Sequence, residues 1–189
     1  MEKDRCPWCL GKEDYVKYHD EEWGVPVWDD NKQFEFLVLE SAQAGLSWYT
    51  VLRKRENYRE AYQQFDPVKV ARYGDNEIAA MLQNAGLIRN RAKLEASVNN
   101  ARLFLDLQDK HGSFCKYIWD FVDGQPIVNH PKELKDITAT SPQSDKLAKD
   151  MKQKGFKFLG TTVIYAHMQA TGLVNDHLVG CFRHREVQR

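Results

Sequence analysis

An all-α fold is predicted by three features of this 189-residue sequence. Apolar side chains recur three and four apart over most of the chain, and no segment alternates apolar and polar residues convincingly over the length of a strand. Glycines and the pairs Asp66-Pro67 and Ser141-Pro142 punctuate the periodic stretches. With 42% hydrophobic residues the chain can close one core but not two comfortable ones, so a single domain over residues 1–189 is expected, with two lobes as its variant.

The first helix is predicted over residues 31–46, after Asp30 as N-cap. It carries Phe34, Phe36, Leu37, Val38, Leu39, Ala42 and Leu46 almost all round its surface, which marks a buried helix. Ser47 caps a second helix bearing Trp48, Val51 and Leu52 and running to about residue 64, before Asp66-Pro67 restarts the chain. Residues 75–84 form a helix stopped by Gly86, and residues 90–110 a long amphipathic one with Leu94, Val98, Ala101 and Leu105 at helical spacing, ended by Gly112. Residues 113–123 pack Phe114, Ile118, Trp119 and Val122. Residues 125–140 read as a loop with an extended piece at Ile127-Val128. A lysine-rich helix from Ser141-Pro142 ends at Gly155, and residues 161–171 give the last apolar helix, before a short segment with His177 and Cys181.

Lys+Arg and Asp+Glu are equal at 27 each, so global charge does not announce a nucleic-acid binder, and any DNA surface must be locally basic. No run approaches the ~20 apolar residues of a membrane span and the charged start is no secretory signal; a soluble, cytoplasmic protein is expected. In a reducing compartment the four cysteines, Cys6, Cys9, Cys115 and Cys181, read as free thiols or metal ligands rather than disulfides. Cys6 and His19 near one end, with His177 and Cys181 four apart near the other and so adjacent if helical, would make a closed two-Cys, two-His site. By spacing alone, buried cysteines and unrelated histidines are the commoner outcome, and Cys6-Pro-Trp-Cys9 offers Cys9 as a rival ligand.

Glu40 is the only carboxylate between Glu35 and Glu56 and sits inside Phe36-Leu37-Val38-Leu39-Glu40-Ser41-Ala42. Buried and ionised, it would cost several kcal/mol without a partner; the ordinary alternative is a surface glutamate paired with a lysine or arginine. Trp8, Tyr15, Tyr18, Trp23, Trp28 and Trp48 form an aromatic set that can be plain core, or can stack on a flipped and cationic base. In residues 81–93 a glycine turn at Gly86 opens a helix with Arg91 and Lys93, a candidate phosphate anchor.

Five motifs taken together resemble the DNA-3-methyladenine glycosylase I family, within the helix-hairpin-helix glycosylases. They are Tyr18-His19-Asp20-Glu21-Glu22-Trp23-Gly24-Val25-Pro26, Gln43-Ala44-Gly45-Leu46-Ser47-Trp48, Asn84-Ala85-Gly86-Leu87-Ile88, Lys154-Gly155-Phe156-Lys157-Phe158 and Gly172-Leu173-Val174-Asn175-Asp176-His177. The resemblance implies a helix-hairpin-helix bundle whose structural zinc, held by Cys6, His19, His177 and Cys181, tethers the two ends. It implies a base pocket of Glu40, Tyr18 and Trp48, with Tyr15 and Trp8 beside them. The expected activity is monofunctional hydrolysis of the N-glycosidic bond of 3-methyladenine in alkylated double-stranded DNA, by a monomer that flips the nucleotide. Gly45 and Leu46 are the candidate wedge into the duplex, and Gly86, Arg91 and Lys93 the candidate phosphate contacts. Two features depart from the pattern: the hairpin has one glycine, Gly86, and Cys9 lies outside the ligand set. The alternatives are a non-catalytic zinc-stapled DNA- or protein-binding module, which has no reason to keep Glu40 in an apolar pocket, and a glycosylase for another base or one with lyase activity through a lysine nucleophile, for which Lys93 is the nearest candidate.

Overall fold

The structure, a computed structural model, describes residues 3–188. Within them run α1 (Glu13–Glu21), α2 (Asp30–Gln43), α3 (Trp48–Leu52), α4 (Arg55–Ala61), α5 (Pro67–Val70), α6 (Asp75–Gln83), α7 (Arg91–His111), α8 (Phe114–Trp119), α9 (Pro142–Gln153), α10 (Thr161–Ala170) and α11 (Phe182–Glu186). The all-α expectation holds, with one small exception. Ile127–Val128 pairs in parallel with Val174–Asn175, so the extended piece seen in the sequence finds a two-residue partner 47 positions on. No described helix is long and apolar enough to cross a membrane.

Helix α2 is the axis of the fold. From Gln33 to Ala42 every residue is buried, and α3, α7, α8 and α10 pack on it. Its N-cap is Asp29, whose side chain accepts from the Lys32 N–H, rather than Asp30. The Asp30 carboxylate instead accepts from Gln108 Nε2 and from the N–H groups of Phe114 and Cys115, tying the start of α8 and the end of α7 to α2. His167 of α10 meets Gln33 of α2 at 2.7 Å, and burial holds this imidazole down at about 3, so the contact is one between neutral groups.

Helix α7 begins and ends as its local signals require: the Asn90 side chain caps Lys93 N–H, and Gly112 at φ 84 supplies the left-handed residue that stops it. The single helix expected over 47–64 is instead divided. Ser47 caps the short α3, α4 follows, and Gln63, Gln64 and Phe65 turn left-handed at φ 51, 61 and 56. Helix α1, unmarked by an aliphatic stripe, was not anticipated. Nor are His177 and Cys181 on a helix, because His177 precedes a turn over residues 178–181 closed by Cys181 N–H donating to Leu178 O, and Cys181 is the N-cap of α11.

The strap from Glu22 to Trp28 crosses the end of α10. Gly24 N–H donates to Gln169 O, Val27 N–H to Thr171 O, and Gly172 at φ +73 sits so close that a Cβ there would lie 2.4 Å from the Val25 and Pro26 backbone. This close crossing brings the N-terminal aromatic residues beside the C-terminal histidine and cysteine.

Candidate active site and metal cluster

Cys6, His19, His177 and Cys181 are all buried and place their ligand atoms within 4.8 Å of one another. Cys181 Sγ lies 3.5 Å from His19 Nε2 and 3.7 Å from His177 Nδ1, and Cys6 Sγ lies 3.7 Å from His177 Nδ1. Bond lengths of ~2.3 Å to sulfur and ~2.0 Å to nitrogen at tetrahedral angles put such atoms about 3.5 Å apart, so the spacing suits zinc. The remaining ring nitrogens are also committed. His19 Nδ1 is 2.8 Å from Asp20 Oδ1, itself held by Arg5, and His177 Nε2 is 2.9 Å from Trp23 O. Acceptors at those positions leave His19 Nε2 and His177 Nδ1 as the nitrogens that could hold a metal. Cys9 stands apart; its thiol donates to Cys6 O at 3.1 Å.

The cluster anchors one wall of a cavity of ≈ 290 Å³. Trp8 lies in the turn Pro7–Cys9 and Tyr15 and Tyr18 lie one turn apart on α1, the helix that also carries His19. Glu40 enters from α2 and Trp48 from the start of α3, and Trp23, Gln43, Leu134, Ile137, Ala166 and Gln169 complete the lining. Tyr18 and Trp48 have ring centroids 5.4 Å apart, and Trp8 packs on Tyr15 at 4.9 Å. All five residues assigned to the base pocket thus converge. Trp28 does not join them: it is 58% exposed and stacks on Trp119 at 4.0 Å.

Two glutamates five apart on α2 show how environment decides their state. Glu35 is buried, yet Arg55 at 2.7 Å and Lys32 at 3.0 Å more than offset its desolvation and hold it below the usual carboxylate range. Glu40 is 3% exposed, and its Oε2 has no hydrogen-bond partner among the described residues. Burial pushes it up to about 8. At neutral pH in the empty cavity the carboxyl therefore holds its proton, and it is ready to lose it to a ligand that brings positive charge.

The residues assigned to DNA fare unevenly. Leu46 is 42% exposed beyond Gly45, which turns at φ +81, so this tip projects beside the cavity-lining Gln43. Arg91 is exposed, with a long 3.3 Å contact to Glu95. The Gly86 turn does not offer its amides to an anion, because Gly86 N–H donates to Asn84 Oδ1, Leu87 N–H to Asn84 O and Ile88 N–H to Tyr58 Oη. Gly86 is needed for space: a Cβ would meet Asn57 at 2.5 Å. Lys93, expected at a phosphate, turns inward and donates to Ala42 O at 2.9 Å and Ala44 O at 2.6 Å. It caps the end of α2 and braces the Gly45 turn; burial lowers its pKa from the ordinary lysine value, but it is not among the residues that line the cavity, which speaks against a nucleophilic amine.

An aromatic cavity with one unpaired carboxyl, beside a cluster of two Cys and two His in a helical protein, suits a flat, electron-poor ring. The comparisons give the family. Residues 8–184 match the methyladenine glycosylase model, and the chain belongs to that family. It is 49% identical over 178 residues to DNA-3-methyladenine glycosylase 1 of Escherichia coli (strain K12), covering 94% of this chain and 95% of the relative. A crystal structure of 3-methyladenine DNA glycosylase I superposes with a TM-score of 0.92 at 50% identity, over 95% of this chain and 98% of the other. A single-residue variant of 3-methyladenine DNA glycosylase I, solved in complex with 3-methyladenine, also scores 0.92 at 36% identity, over 98% and 97% of the two chains.

The Glu40 environment sets a pH dependence. Between its ordinary value of 4.5 and about 8 the folded protein keeps a proton that the unfolded chain releases, so stability falls as pH rises through that window. Glu40→Gln removes this slope. In urea unfolding at pH 5 and pH 8 the wild type should lose on the order of a few kcal/mol relative to Glu40→Gln.

Proposed function

We propose that this protein removes 3-methyladenine from alkylated double-stranded DNA by hydrolysing its N-glycosidic bond, and that it does so as a monofunctional glycosylase. The observation that carries this reading is Glu40, a carboxyl buried in an aromatic cavity and left without a partner. Family membership agrees with it, since the relatives named above are 3-methyladenine glycosylases.

Methylation at N3 makes the base in DNA a cation with a weakened glycosidic bond, so the lesion itself supplies much of the leaving-group activation. The protein must flip the nucleotide, exclude neutral adenine and favour the oxocarbenium-like transition state. Tyr18 and Trp48 are the stacking faces and Tyr15 and Trp8 the outer wall, with cation–π attraction favouring the charged ring. Glu40 accepts from the base edge, and the arriving positive charge offsets the desolvation that keeps the carboxyl protonated in the empty cavity. A neutral adenine brings no such compensation. The Gly45-Leu46 tip, braced by Lys93, fills the gap in the duplex, and Arg91 meets the phosphate backbone. A binding module would have no use for the unpaired carboxyl.

Zinc on Cys6, His19, His177 and Cys181 is structural in this account. Four protein ligands leave no position for water, so the ion supplies no catalytic step. Its place is to hold Trp8, Tyr15 and Tyr18 against the C-terminal turn. Metal analysis should find one zinc per chain, and stripping it should lower the melting temperature more than it lowers activity per folded molecule. A protein without zinc, or one whose excision stops while the fold persists, contradicts this role.

Glu40→Gln keeps the side-chain shape and removes the charge. Chromatography of bases released from methylated DNA should show 3-methyladenine excision and binding of free 3-methyladenine reduced together, by roughly ten- to a hundredfold, with affinity for undamaged duplex little changed. Full excision by Glu40→Gln would refute the pocket.

A further inference from the structure

Two amide side chains, Gln43 and Gln169, line the cavity beside Glu40, and the second is held in one orientation. Gln169 stands near the end of α10 and lines the same cavity as Glu40. Its amide nitrogen is committed, because Nε2 donates to Asp176 Oδ2 at 2.7 Å. Asp176 is 2% exposed and is itself fixed from two further sides, by Tyr165 Oη donating to Oδ2 at 2.7 Å and by Asn129 Nδ2 donating to Oδ1 at 2.7 Å. A carboxylate surrounded by donors can only accept, so it selects one of the two ways round for the Gln169 amide. Nε2 points at Asp176, and Oε1, which accepts no hydrogen bond from any described residue, is left for the cavity.

We infer that Gln169 is a specificity-determining residue that reads the amino edge of the flipped base, and that Asp176 is the positioning residue that aims it. This rests on the reading that the base enters this cavity. The exocyclic amino group of an adenine ring carries two hydrogens, and the cavity then offers them two acceptors, Glu40 and Gln169 Oε1. A guanine ring has a carbonyl oxygen at the same carbon. Set against Gln169 Oε1 it is acceptor against acceptor, and the buried amide oxygen goes without a partner. Charge on the base distinguishes methylated from normal purine; the fixed amide distinguishes adenine from guanine among methylated ones. If the amide were free to flip, its NH2 would donate to the guanine carbonyl as readily.

The test compares initial rates of release of 3-methyladenine and 3-methylguanine from methylated duplex DNA, for the wild type, Gln169→Met, Asp176→Asn and the double variant. Bound metal is measured in each, because Asp176 adjoins His177. Gln169→Met, near-isosteric and without an acceptor, should lower the ratio of the two rates about tenfold while metal content stays at the wild-type level. Asp176→Asn should lower the ratio similarly by freeing the amide to flip, and the double variant should fall no further than Gln169→Met. An unchanged ratio in Gln169→Met overturns the inference. So do losses from the two single variants that add independently in the double, since Asp176 would then act other than through Gln169. A wild type that releases no 3-methyladenine would instead overturn the functional reading on which the inference stands.

Discussion

A carboxyl group kept out of water with nothing to pair it is the constraint around which this protein is arranged. Such a group costs free energy in the folded state unless a ligand or a partner compensates it. Glu40 stands on α2, buried from Gln33 to Ala42, beside a helix-mate, Glu35, that shows what the ordinary solution looks like: an arginine and a lysine within 3.0 Å. At Glu40 the ordinary solution is withheld. The uncompensated cost is what a cationic ligand can relieve, so the site is a selector by virtue of being unfavourable when empty.

Much of the aromatic wall beside Glu40 comes from the N-terminal segment. Trp8, Tyr15 and Tyr18 lie within the first 21 residues, on one 3-10 turn and one short helix. Cys6 and His19 flank that segment and meet His177 and Cys181 from the far end of the chain, while Gly24 and Val27 bond to the end of α10. A metal held by this cluster would tie that stretch to the C-terminal turn. Lys93 plays a comparable part on the opposite rim, fixing the end of α2 and the Gly45 turn through two carbonyls.

Features written in local chemistry were legible in the sequence. Asn90 and Gly112 mark the ends of α7, Ser141-Pro142 opens α9, and the lone acidic residue in an apolar run on α2 is the buried carboxyl. Features that depend on distant partners were not. Helix α1 has no aliphatic stripe because its buried side chains, Tyr18 and His19, are ordered by the cavity and the cluster rather than by a general core. His177 and Cys181 meet through a turn and not along a helix face, so the right pair was found on a wrong local geometry. Lys93 and Gly86 read as phosphate ligands because sequence gives their chemistry but not their direction; a carbonyl pair and an asparagine side chain had prior claims. Gln169 could have been noticed only as an amide in a buried helix, a weak signal, since its meaning lies in Asp176 across a turn.

The central claim is that Glu40 is held neutral by burial in the empty pocket, and it can be measured without reference to activity. Carbon-13 NMR of the Glu40 side-chain carboxyl, assigned by its loss in Glu40→Gln, reports its titration directly in the free protein. The account predicts a midpoint near 8, far above the ordinary 4.5. A midpoint at the ordinary value would mean that water or a cation reaches the group, and the pocket described here would not exist.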